Sequence, residues 1–82
     1  MALEDALFAP LVKFRDELAE QGNVAIALKR YATFDGKRKD GTHRCPKCWM
    51  FDRVDSILGP TGRKRDREER YPCRRCDFEF YH

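Results

Sequence analysis

The chain has 82 residues, of which 38% are charged, with a formal net charge of +3. That length allows one compact domain and leaves apolar burial alone short of a generous core, so a second stabiliser is expected. One Trp, three Tyr and six Phe argue against general disorder, and no apolar run approaches the roughly 20 residues that span a bilayer. In chain order, Leu3, Ala6, Leu7, Leu11, Phe14 and Leu18 recur at helical spacing and predict a helix to about Gln21. Pro10 has no amide donor, so the helix is expected to start near Ala9 after an irregular lead-in, with a longer kinked helix as the alternative. Gly22 supplies a stop, and Asn23 a cap for a second helix over residues 24–34, with Val24, Leu28 and Tyr31 on one face and Ala27 beside them. Acidic residues stand in "MALEDALFAP" where a signal peptide carries lysines, so the protein reads as soluble, cytoplasmic and complete from Met1.

"DGKRKDGTHR" reads as an exposed basic loop. In "WMFDRVDSIL", Trp49 and Phe51 alternate with Met50 and Asp52 ahead of β-branched Val54 and Ile57, which predicts a strand with room for a bulge. "GPTGRK" is a turn. "RKRDREERYPC" offers Arg65 with Glu69 and Asp66 with Arg70 at helical i, i+4 spacing, but its place between a turn and a cysteine pair favours a solvent-facing strand. "FEFYH" alternates as a short last strand.

All four cysteines fall in two matched pairs, Cys45-x2-Cys48 and Cys73-x2-Cys76, separated by 24 residues. Each pair can wrap two thiolates around one side of an ion, and two pairs complete the tetrahedron that a structural zinc takes. A pair of disulfides or a set of reduced buried thiols is the alternative; a reducing cytosol disfavours the disulfides, and either leaves the symmetric pairing unexplained. One structural Zn²⁺ is therefore the expected cofactor. His43 and His82 lie near the motif but are not needed as ligands.

With "RCPKCW" and "PCRRCD", and a spacer of hairpin length and turn chemistry between them, residues 42–82 resemble the zinc-ribbon superfamily. The resemblance implies two knuckles at the ends of β-hairpins beside a small antiparallel sheet, and functions that range over nucleic-acid binding, RNA-polymerase contact, stiffening of larger enzymes and protein recognition. Where many such knuckles carry glycine after the second cysteine, this chain has Trp49 and Asp77. The expected fold is α+β, with a helical hairpin over residues 1–36 packed on a ribbon with a basic loop over residues 37–82, as one compact domain.

Charge is patterned: residues 1–28 sum to −3, residues 29–48 to +5 and residues 49–82 to +1. Lys29, Arg30, Lys37, Arg38, Lys39, Arg44, Lys47, Arg74 and Arg75 are the candidate contacts to nucleic acid or another partner. Arg44, Lys47, Arg74 and Arg75 stand equally well as offsets to a negative thiolate cluster. Trp49, Phe51, Phe78 and Phe80 suit a small core better than base stacking. The two helices read either as a groove-entering helix-turn-helix or, preferably, as a hairpin with Leu7, Leu11, Phe14, Leu18, Leu28 and Tyr31 packed together. No nucleophile or acid–base constellation stands out, so no enzyme activity and no small-molecule substrate are expected. The preferred function is a regulatory zinc module associating with nucleic acid or transcription machinery. The alternative is a small protein-binding adaptor or inhibitor, such as a phage-encoded host-takeover or anti-defence factor.

Overall fold

The computed structural model describes residues 2–62, 64–65 and 67–82, the side chains of residues 64 and 65 excepted. The fold is α+β. It opens with α1 (Leu3–Ala6) and α2 (Phe8–Glu20), joined by a bend at Leu7. The lead-in to Pro10 is thus helical and not irregular. The bend sits where the Pro10 ring would meet the Ala6 carbonyl and where its missing amide leaves that carbonyl without a donor. Gly22, at φ +90°, ends α2 as a left-handed stop, with its amide on the Ala19 carbonyl at 3.0 Å and that of Asn23 on Leu18 at 3.3 Å.

The third helix, α3 (Val24–Ala32), is shorter than the sequence implied, and the Asn23 side chain does not cap it. Its buried face centres on Ala27, whose small side chain is fully enclosed against α2. Val24 and Leu28 are instead 53% and 55% exposed, which corrects the expectation that Leu28 packs inside the hairpin. Tyr31 does turn inward, edge-on to Phe8 at 6.0 Å between centroids, with the Arg15 guanidinium 4.7 Å above its ring.

The largest departure follows Cys45. Residues expected to begin a strand form α4 (Pro46–Asp52), which packs on α2 and α3. Cys45 is its N-cap, with its sulfur accepting from the Cys48 amide, and Pro46 fills the first turn, where no amide is required. Trp49 and Met50, assigned to opposite faces by alternation, are both buried in this helix. The chain turns extended beyond Arg53 and reaches β2 (Ile57–Leu58), antiparallel to β1 (His43–Arg44), with His43 opposite Leu58. The strand expected over 49–58 therefore survives only at its end.

A second antiparallel sheet runs β3 (Lys64–Arg65), β4 (Glu68–Pro72), β5 (Glu79–Tyr81), with Tyr71 opposite Phe80. The strand preference for this stretch holds over the described residues. The suggested pairs of Asp66 with Arg70 and Arg65 with Glu69 lie outside what is described. A bridge between Leu58 and Cys73 joins the two sheets. Leu7, Leu11, Met50 and Leu58 are fully buried, and rings link the layers: Phe14 lies 5.6 Å from both Phe51 and Phe78, and Phe34 lies 6.4 Å from Trp49. The aromatics near the cysteines thus serve the core.

Candidate metal centre

Two local structures present the four sulfurs. One turn of helix separates Cys45 from Cys48, so both side chains leave the start of α4 on the same side. The second pair sits in the turn between β4 and β5, closed by the Cys73 amide on the Phe78 carbonyl at 2.8 Å. The second pair is a hairpin knuckle of the kind the ribbon resemblance implied, whereas the first pair is a helix start. Residues 56–58 hold the two halves in register: the Ser56 carbonyl accepts from the Cys45 amide at 2.9 Å and the Ile57 carbonyl from the Arg74 amide at 3.2 Å.

The four Sγ atoms lie within 4.8 Å of one another. Cys45 and Cys76 are 3.6 Å apart and Cys48 and Cys73 are 3.7 Å apart, with no disulfide among them. A tetrahedral ion with metal–sulfur bonds of about 2.3 Å needs sulfur separations of about 3.8 Å. Cys45, Cys48, Cys73 and Cys76 are thus positioned to coordinate one metal ion, and three of the four are buried.

Donors surround the sulfurs unevenly. Cys73 receives the Ser56 hydroxyl at 3.1 Å and the amides of Arg75 and Cys76 at 3.3 and 3.4 Å. Burial pushes its thiol up, but these donors outweigh burial and bring it down to about 6. Cys76 has the Phe78 amide at 3.4 Å, and burial raises it to about 11. Burial raises Cys45 well above the ordinary thiol range. Hydrogen-bond donors thus favour the thiolate at Cys73, whereas burial disfavours it at Cys45 and Cys76, where a cation would help to draw off the protons. Among the described residues no buried side-chain polar atom lacks a partner.

Of the basic candidates, Arg75 serves the sulfurs directly, with Nη1 3.6 Å from Cys48 Sγ and 2.8 Å from Asp52. Asp52 first and Cys48 second raise its pKa. Lys47 pairs with Asp77 at 2.6 Å, which raises Lys47 and lowers Asp77. Arg44 does not reach the cluster: it bonds Asp55 at 2.9 Å and lies 5.0 Å over the Trp49 ring. Arg38 shares Asp55 at 2.9 Å and adds Asp40 at 3.0 Å. Lys37 and Lys39 are exposed on the loop, and the Arg74 side chain lies against Gly59. Lys29 and Arg30 stand on α3. Much of the basic block is thus matched to carboxylates that sequence spacing did not connect to it, Asp55 and Asp77 above all.

Two partners of the site carried no sequence signal. Ser56 is one, a lone serine in an extended stretch. Arg53 is the other, at φ 55° on the C-cap of α4 with its guanidinium 3.9 Å over Trp49. No protein family matches this chain, and no curated protein or solved structure is similar to it. Among the described residues no helix is long and apolar enough to cross a membrane.

Proposed function

We propose that this protein is a non-enzymatic regulatory module of zinc-ribbon type, folded around one structural Zn²⁺ and acting by association with nucleic acid. The observation that carries the metal assignment is the spacing of the four sulfurs, 3.6 and 3.7 Å across the two cross-pair contacts. Four soft thiolate ligands in a tetrahedron suit zinc, and a closed set leaves no open position for a substrate or a reactive water. The site is then structural. Free thiols in this number fit a reducing, cytoplasmic setting.

Four thiolates and one divalent ion remove two charges from the formal +3, so global charge does not recommend a polyanion. Its placement does. Loop arginines are matched to carboxylates, whereas Lys29 and Arg30 have no carboxylate partner among the described residues. A protein partner is the second reading, favoured by Val24, Ile26 and Leu28, which are 53%, 44% and 55% exposed on α3.

Metal content and Co²⁺ substitution test the first claim. One zinc per chain, and a cobalt derivative with the intense visible bands of tetrahedral thiolate ligation, are expected. A protein isolated metal-free and equally stable overturns it. The partner claim is tested by Val24→Ser with Leu28→Ser, which removes apolar surface without adding charge beside Lys29: nucleic-acid binding unchanged is the expected result, whereas no binding of nucleic acid by wild type, with capture of one specific protein that the variant loses, favours the second reading.

A further inference from the structure

α3 and α4 are stapled to each other in both directions. The Arg30 Nη1 donates to the Met50 and Phe51 carbonyls at 2.8 and 3.2 Å, which are last-turn carbonyls of α4 with no helical donor of their own. In return the Trp49 Nε1 donates to the Arg30 carbonyl at 2.8 Å. Beside this staple lies an open cleft of about 250 Å³, lined by Ile26, Lys29, Arg30, Thr33 and Arg53. No carboxylate lines it. The nearby groove at Arg38, Lys39, Asp40, Arg44 and Asp55 is of similar size but carries its own counter-charges.

Arg53 adds an independent observation. It sits in the left-handed region at φ 55°, where a Cβ is strained and glycine or asparagine ordinarily closes a helix. The chain places there a cation instead, its guanidinium carbon 3.9 Å from the Trp49 ring centroid. That contact holds the group beside the cleft, and Arg53 has no acidic partner among the described residues.

We propose that this cleft, formed by Lys29, Arg30, Thr33 and Arg53, seats the phosphodiester backbone of a nucleic acid. The inference rests on the nucleic-acid reading above and names its site. Three positive charges in one small cleft repel one another unless a partner offsets them. A nucleic-acid strand brings successive phosphates, each with acceptor oxygens, while a single peptide carboxylate brings one charge. The staple holds the donors in place before binding, so little ordering is required at the moment of contact.

The test is fluorescence anisotropy of the zinc-loaded protein with labelled duplex DNA, single-stranded DNA and RNA, over about 50 to 200 mM salt. Wild type is expected to bind with affinity that falls as salt rises. Lys29→Ala and Arg53→Gly are each expected to weaken binding to all sequences alike and to reduce the log–log salt slope by about one. Arg53→Gly relieves the strained φ, so its cooperative unfolding is retained, and Arg53→Lys restores most of the binding because it keeps the charge. Wild-type binding with both variants unchanged in affinity and slope overturns the cleft and leaves the nucleic-acid reading standing. No wild-type binding to any of the three probes overturns both. Labelled polyglutamate bound in preference to nucleic acid, and lost in the same two variants, overturns the phosphate assignment in favour of a carboxylate-bearing protein.

Discussion

Ser56 shows how a single hydroxyl can bias a thiolate cluster. It is buried, 3.1 Å from Cys73 Sγ, and it is the largest of the influences that pull that thiol down against burial. Partners that hydrogen-bond a metal ligand are worth roughly 10- to 100-fold in metal affinity. Ser56→Ala is therefore expected to lose zinc to a competing chelator at a concentration lower by that order, with the fold intact; equal retention would show that the two backbone amides suffice. Asp55 makes a parallel case away from the metal. Arg44 first, and Arg38 after burial is set against them, hold its carboxyl below the ordinary value of 3.8. A lowered acid contributes stability above its unfolded value and loses it as pH falls through the folded one. Asp55→Asn should cost about 1 kcal/mol at pH 7, discounted for exposure; that contribution is lost only as pH falls through the lowered folded value, where proton-driven metal loss removes the fold as well. Denaturant titration at neutral pH of Asp55→Asn, Arg44→Gln and the double variant therefore reads the pair. A double-variant penalty equal to the sum of the single ones would sink the ion-pair account. The convergence of the four cysteines was legible because paired spacing of this kind is local to three residues. Ser56, Asp55 and Arg53 were not, because each meets its partner across a strand or helix that the spacing does not reveal.

At the scale of elements, the first helices could be read because seven residues of period are enough to distinguish 3.6 from 2. The stretch after Cys48 could not. In four residues Trp49 and Phe51 satisfy alternation as well as they satisfy a helix, and the Cys45 cap with Pro46 in the first turn settles it for α4. The face of α3 misled for a related reason: Val24, Leu28 and Tyr31 do share a stripe, but Ala27 is the residue enclosed against α2, so Val24 and Leu28 are rotated toward solvent while Tyr31 alone of the three turns inward. Packing between elements also depends on Gly36. A Cβ there would lie 2.9 Å from the Glu4 carbonyl oxygen and 3.1 Å from its Cα, both backbone of α1. Nothing flexible can move aside. Gly36→Ala is expected to push α1 off the loop at a cost of about 1–3 kcal/mol, read as a lower denaturation midpoint with an unchanged slope. Wild-type stability in that variant would mean that α1 is free to shift and contributes little. Leu11→Ala, by contrast, empties a fully buried site between α2 and its neighbours, and about 2–5 kcal/mol should be lost.

For the whole molecule, the proposed metal would decide whether these elements form one structure. The four cysteines come from the start of α4, which packs on α2, and from the turn between β4 and β5, so an ion bound there would join the helical layer to the strands. Around it, Cys45, Cys48 and Cys73 are buried with Trp49, Met50 and Leu58 in a continuous core. Without a cation that core must accommodate four thiols, three of them buried. Metal binding to a site absent from the unfolded chain contributes on the order of 10 kcal/mol, comparable with the entire 5–15 kcal/mol by which small domains are stable. Chelation at neutral pH, or Cys48→Ser, is therefore expected to abolish the cooperative thermal transition. Trp49 reports it independently: it is the single tryptophan, 6% exposed and next to Cys48, so its emission should shift to the red as the metal leaves. Acid should act in the same direction, because each thiolate that regains its proton is a ligand lost. Restoring zinc should restore both signals. A chelated protein with an unchanged melting curve and blue emission from Trp49 would show that the apolar contacts of α2 and α4 hold the fold alone, and that the four sulfurs are carried by the structure and do not sustain it.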